Sequence, residues 1–309
     1  MHPAFSVVLL TTLIGAAQGL MLGLVGIESL ARLRADVLPH AFLIGGSGLA
    51  LVLAGLGLLA SFFHLGHPER AWRAIAGWRT SWLSREVIVL PAFMGMTALY
   101  GFAHHVGLGP TLGLGAVVAL LALLLFVCTG MIYAAVKVIR EWASVWTVIN
   151  YTVLGMTSGL SLAAALAAFT APVLVPGLSA AALASLLLGA CTRAASLWRN
   201  AHLKPKSTLQ SAIGVRHPRI VQKSQGSMGG SFNTREFFHG RPRAFVQGVF
   251  WSAVLAAFVL PALLLGSGIT SAAGLVMIFG VQYVGLLAER WFFFAQANHP
   301  QNLYYQSVA

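Results

Sequence analysis

The chain has 309 residues, of which 58% are hydrophobic and only 8% charged, with a formal net charge of +12. A soluble domain carries about 25% charged residues, so this chain lacks a polar coat for water and its apolar surface has to face lipid. The positive excess would suit nucleic acid, but the basic residues fall between apolar runs, where the bias of membrane proteins puts them, and that excludes a nucleic-acid partner.

The first apolar run starts at Phe5 and continues to about Ile27. It has no basic n-region and outlasts the apolar core of a signal peptide, so it is predicted to be a retained helix. A span needs about 20 mostly apolar residues, and the sequence predicts eight, at roughly 5–29, 41–63, 86–106, 114–138, 147–171, 178–198, 244–267 and 270–293. Runs such as AVVALLALLLFV lack the alternation of a barrel strand, and helices satisfy their own backbone hydrogen bonds in lipid. The predicted fold is an all-α bundle, one eight-helix transmembrane domain over 1–309. Cys128 and Cys191 lie inside apolar stretches and form neither a disulfide framework nor an iron–sulfur motif.

The loops alternate between basic and almost uncharged. Seventeen of the 19 Lys and Arg residues fall on one side, and Arg32 and Arg34 are the two exceptions. The basic side, with both termini, is predicted to be cytoplasmic. It includes one long polar insertion, about 199–243, between the sixth and seventh spans. Its Gly and Ser content predicts irregular structure, although Ile220, Val221, Phe232, Phe237 and Phe238 give it something to bury. Loops of this length are often functional when ordered.

Between the second and third spans the chain reads HLGHPERAWRAIAGWRTSWLSRE. His64 follows one apolar run and Glu86 opens the next. Ionisable groups at such depth are expensive and tend to be paired or functional. A quinone needs an apolar slot near the membrane face, a donor to a carbonyl and a protonatable relay. A His can donate, and a buried Glu can pass protons. A capping His and a Glu favoured by a helix dipole explain the same residues equally well. His64 and His67 are spaced as two ligands on one helix face, but Gly66 and Pro68 make a regular helix there doubtful, so no metal site is expected. His104 and His105 lie at the far end of the third span, which disfavours a haem between helices. Glu28 is expected to be an interfacial residue. Glu289 and Arg290 are expected to form an ion pair or touch a docked subunit, and the Trp and Phe cluster after them to form an interfacial belt.

The His64-Leu65-Gly66-x-Pro68 turn, the Arg70-Ala71 that follows and Ser84-x-Glu86, set within eight spans, resemble the membrane-anchor subunit of the dimethyl sulfoxide reductase family. The resemblance extends over nearly the whole chain, including Glu289-Arg290. It implies an anchor that holds a molybdopterin-bearing catalytic subunit and an iron–sulfur subunit on the membrane, exchanges electrons with ubiquinone or menaquinone, and carries no haem. The family's quinol-site histidine and glutamate fall on His64 and Glu86, and Gly66, His67, Pro68, Arg70 and Arg85 are further quinone-site candidates. No residue of this chain is expected to be catalytic towards the molybdenum substrate.

In the family's namesake enzymes the catalytic subunits are exported, whereas here the loop bearing His64 lies on the basic side. The protein is therefore expected to sit inverted in the bacterial inner membrane, with cytoplasmic partners. The run RHPRIVQKSQGSMGGSFNTREFFHGR and the ANHPQNLYYQ tail resemble the anchors of cytoplasmic sulfite dehydrogenases, which oxidise sulfite to sulfate and feed the quinone pool. Arg216, Arg219, Lys223, Arg235, Glu289 and Arg290 are expected to touch partner subunits, with the long loop clamping the iron–sulfur subunit. The alternatives are the anchor of a quinol-oxidising dimethyl sulfoxide or polysulfide reductase, a haem-bearing quinol oxidase subunit, and a secondary transporter. A transporter would need ionisable or helix-breaking residues near the midplane. Apart from Pro261, the span centres lack them.

Overall fold

A computed structural model describes residues 1–109, 111–204, 207–221, 223 and 237–304. Helix α1 (Phe5–Arg34) is followed by α2 (His40–Phe62), a 3-10 helix (Pro68–Gly77), α3 (Trp82–His105), α4 (Leu112–Ala134), α5 (Val145–Thr170) and α6 (Val175–Ala201). A five-residue helix, α7 (Leu209–Ile213), lies in the long loop. The last two spans are α8 (Arg243–Gly266) and α9 (Ala272–Ala295), and a 3-10 turn follows at Pro300–Tyr304. Eight of these helices are long and apolar enough to cross a membrane.

Three predicted boundaries move by more than three residues, each for a local reason. Helix α1 runs past 29 to Arg34 and stops at Ala35, a residue with φ of 59° whose N–H returns to the carbonyls of Ala31 and Arg32. Helix α3 begins at Trp82 rather than 86, because the Ser81 side chain accepts the Ser84 N–H and builds a turn ahead of the apolar run. Helix α4 ends at Ala134, short of 138, where turns carry the chain to Ser144, whose hydroxyl caps α5 by accepting the Trp146 N–H. Within α8 a π turn occupies Leu255–Val259. Pro261, just after it, has no N–H for the ladder, and a widened turn absorbs the mismatch.

Helices α1 and α5 form the centre of the bundle. Their approach is set by glycines four apart, Gly15, Gly19 and Gly23 on α1 and Gly155 and Gly159 on α5. A Cβ on Gly159 would stand 2.1 Å from the Gly19 carbonyl carbon, and one on Gly19 would stand 2.2 Å from the Gly155 oxygen. In lipid, where apolar burial does not drive helices together, such small-residue stripes provide the close packing. Gly285 on α9 fits the α8 π turn in the same way, 2.1 Å from Ala257 N by its would-be Cβ.

The helices alternate in direction. The starts of α1, α3, α5 and α8 and the ends of α2, α4, α6 and α9 share one end of the bundle with the basic loops, here called the basic end. The opposite ends meet around Glu28 at the far end. Fully buried Leu20, Met21, Ala50, Phe93, Ala122 and Leu125 fill the middle.

Candidate functional site

Beyond Phe62 the chain leaves α2 through a turn in which the His64 N–H reaches the Ser61 carbonyl at 3.3 Å. His64 is exposed, and partial desolvation of its ring holds its pKa below the usual histidine value. It is therefore a neutral imidazole at neutral pH, able to donate from one nitrogen. Pro68 opens the 3-10 helix, as its fixed φ favours. His67 Nδ1 lies 3.0 Å from Glu69 Oε1 and Arg70 Nε lies 3.6 Å from the same oxygen. His67, with φ of -139° and ψ of 74°, is not helical, so the two histidines do not share a helix face.

The 3-10 helix and the turn after it present exposed Trp72, Ile75 and Trp78 among Arg70, Arg73 and Arg79, a pattern suited to a headgroup layer. Arg85 folds back, its guanidinium 4.1 Å from the Trp82 ring centre and donating to the Trp78 and Arg79 carbonyls at 2.9 Å each. It ties this segment to the start of α3.

Glu86 points the other way. The extra turn of α3 carries it inside the bundle, 8% exposed, where it accepts a hydrogen bond from Thr129 Oγ1 of α4. Beside it lies a cavity of about 10 Å³ lined by Thr11, Gln18, Glu86, Thr129 and Tyr151, with apolar side chains closing the rest. That volume fits about one water. His64 and Glu86 belong to the same end, but the cavity unites Glu86 with α1, α4 and α5 and does not include His64.

A second cavity of about 10 Å³ shares Thr11 and Tyr151 and reaches Thr12, Ser158 and Arg290. Of the two expectations for Glu289 and Arg290, the ion pair is present and the contact with a docked subunit is corrected. Both are buried, 4% and 6% exposed, and form an internal cluster with Arg193 of α6 rather than a docking face. Arg193 Nε lies 2.7 Å from Glu289 Oε1, and Arg290 Nε 3.7 Å from Glu289 Oε2. The Arg290 guanidinium sits 3.7 Å from the Tyr151 ring centre. Trp142, Phe293 and Phe294, of which the two phenylalanines were expected in a belt, are buried around it, with the Trp142 ring stacked on Phe293. Charge that must be buried is paired, and the pairing holds α5, α6 and α9 in register.

Arg216, Arg219 and Lys223 of the long loop are exposed and free to meet a partner. Arg235 and Phe232 lie outside the described residues. Phe238 is buried, and Phe237 stacks on His299 of the tail with ring centres 3.9 Å apart. Partial burial holds the His299 pKa below the usual histidine value. Glu28, expected at the interface, is instead 5% exposed at the far end. Thr129, Tyr151 and Arg193 were not anticipated. For Arg193 the signal was its position two turns inside an apolar span, where a charge needs a partner. Thr129 and Tyr151 carry no comparable mark.

A family model described as DMSO reductase anchor subunit (DmsC) matches residues 1–223. The C subunit of the sulfite dehydrogenase of Allochromatium vinosum is 52% identical to this chain over 327 aligned positions, which cover 100% of both chains.

Proposed function

This chain belongs to the DMSO reductase anchor subunit family, and from that membership we propose that it is the quinone-reactive anchor of a molybdenum and iron–sulfur sulfite dehydrogenase on the cytoplasmic face of the inner membrane. The full-length likeness to the C subunit of a sulfite dehydrogenase supports the sulfite assignment. The charge asymmetry of the loops supports the orientation. The observation that carries the quinone assignment is Glu86, a carboxylate buried beside a polar, water-sized cavity at the same end of the bundle as an exposed histidine.

The described residues fit a quinone in part. They provide a neutral donor in His64 and a proton-accepting carboxylate in Glu86, with Trp and Arg side chains at the same end. The cavity at Glu86 is too small for a ring, so the ring belongs outside it, between the 64–85 segment and the docked iron–sulfur subunit. Bound quinone supplies the two-electron, two-proton acceptor chemistry. His64 donates a hydrogen bond to a carbonyl and fixes the headgroup. Glu86 exchanges a proton with the headgroup side, and the Thr129 hydroxyl on its oxygen orients the carboxylate. The basic loop holds the partner close enough to deliver electrons at this end.

The test uses the assembled complex. His64→Ala and Glu86→Gln should each leave assembly intact and leave sulfite oxidation with a soluble dye acceptor unchanged. Quinone-linked turnover should fall by about 100-fold or more, the scale of a lost general acid–base group. Loss of assembly in His64→Ala, or equal loss with both acceptors, would assign these residues a structural role.

A further inference from the structure

A large chamber lies at the end away from His64 and Glu86. It measures about 530 Å³, and its lining includes Glu28, Arg32, Asp36, His40, His104 and Thr111. Ligand sites are commonly about 300–1,000 Å³. None of these residues has a part in the quinone chemistry above.

Its floor is built. Tyr100 Oη donates to Glu28 Oε2 at 2.7 Å and Thr111 Oγ1 donates to Glu28 Oε1. The Tyr100 ring meets His104 edge-on, with centres 4.6 Å apart, and fixes the imidazole. His104 is 7% exposed, and its Nε2 has no hydrogen-bond partner among the described residues. Its distance to Glu28 Oε1, 3.6 Å, is too long for a hydrogen bond. A buried carboxylate held by two neutral hydroxyls, with an imidazole nitrogen left open beside it, can accept a cation with hydrogens to give. The rim differs. Arg32, Asp36 and His40 are exposed there, so the floor is acidic while the rim offers both signs.

We propose that this chamber holds the headgroup of a phospholipid ending in a primary ammonium, drawn from the leaflet at the far end. The order of charge carries the assignment. In such a lipid the ammonium is the outermost group and the phosphate follows it, so a headgroup entering from the rim brings the ammonium to Glu28 and His104 and leaves the phosphate beside Arg32 and His40. A quaternary ammonium has no N–H for Glu28 or for Nε2. A glycerol headgroup brings only neutral hydroxyls to Glu28 and leaves that carboxylate's charge without a cation. The chamber's position at the ends of four spanning helices is the depth at which headgroups lie.

The test is native mass spectrometry of the delipidated full-length chain, supplied in turn with phosphatidylethanolamine, phosphatidylcholine and phosphatidylglycerol. One phosphatidylethanolamine should be retained about tenfold more tightly than either of the others, the scale of one charge-assisted hydrogen bond. Glu28→Gln should remove that preference while the melting temperature stays near that of the unsubstituted chain. Should that variant fail to fold, Arg32→Ala at the exposed rim decides instead, weakening retention severalfold. Equal retention of the three lipids, a preference unchanged in Glu28→Gln, or retention unchanged in Arg32→Ala would overturn the proposal. Displacement of the lipid by soluble glycerophosphoethanolamine would overturn the lipid as source.

Discussion

At the scale of the residue, the position of an ionisable group along a span was legible in the sequence and its surroundings were not. Glu86 was marked by standing at the head of an apolar run, and its chemistry depended on one turn of helix that Ser81 adds in front of it. That turn converts a helix-end carboxylate into a buried one beside Thr129. Arg193 was counted with the basic loop because it stands near a span's edge, yet it belongs to the buried pair with Glu289. No single-residue pattern states which of eight helices will face it. Glu289→Gln should leave the Arg193 and Arg290 guanidiniums without their counter-charge. The expected destabilisation is about 3–5 kcal/mol, read as a lowered melting temperature of the purified chain. The same substitution should not weaken docking of a partner subunit in the variant that remains folded, because Glu289 is internal.

Among the elements, hydropathy located the spans because eight runs of the required length allow few alternatives, and it misplaced their ends wherever a cap or a left-handed residue set them, as at Ser81 and Ala35. Which helices touch depends on the glycine stripes. Gly159→Leu should force α1 and α5 apart and destabilise the chain by about 1–3 kcal/mol or more, whereas Gly48→Ala, whose Cβ would meet open space, should leave the melting temperature nearly unchanged. The contact between Phe237 and His299 gives a pH dependence. The His299 pKa is lowered in the docked state, so the docked state binds fewer protons than the released one. The contact is thus fully formed above the ordinary histidine range and lost as pH falls through it. Protection of the amides of residues 237–243 against hydrogen exchange, taken relative to the intrinsic rate at each pH, should be lower at about pH 5.5 than at about pH 7.5. Unchanged protection would mean the contact is too weak to order the loop.

For the whole molecule, the governing feature is the placement of nearly all free basic charge at one end. Reporter fusions in the loops between α2 and α3 and between α6 and α8 should behave as cytoplasmic, and fusions between α3 and α4 as external. Deleting residues 205–235 should release the proposed iron–sulfur partner from the membrane while leaving the spans folded. In the intact chain the same release should increase with salt, since screening shortens from about 10 Å at 0.1 M to about 3 Å at 1 M.

The two polar regions lie at opposite ends of the same helices. Glu86 and Tyr100 are separated along α3 by about 21 Å at the helical rise, and the fully buried apolar side chains of the bundle's middle lie between the ends. A charge crossing that layer would also work against the membrane potential, about 2.3 kcal/mol per 100 mV. If electrons and protons both enter at the basic end, as the proposed function requires, turnover is electrically silent: it moves reducing equivalents into the bilayer without moving charge across it. Energy conservation is then left to whichever enzyme reoxidises the quinol. In sealed vesicles bearing the whole complex, collapsing the potential with an ionophore should leave the initial rate of quinone-linked oxidation unchanged, and a rate that rises on collapse would show charge passing through the bundle.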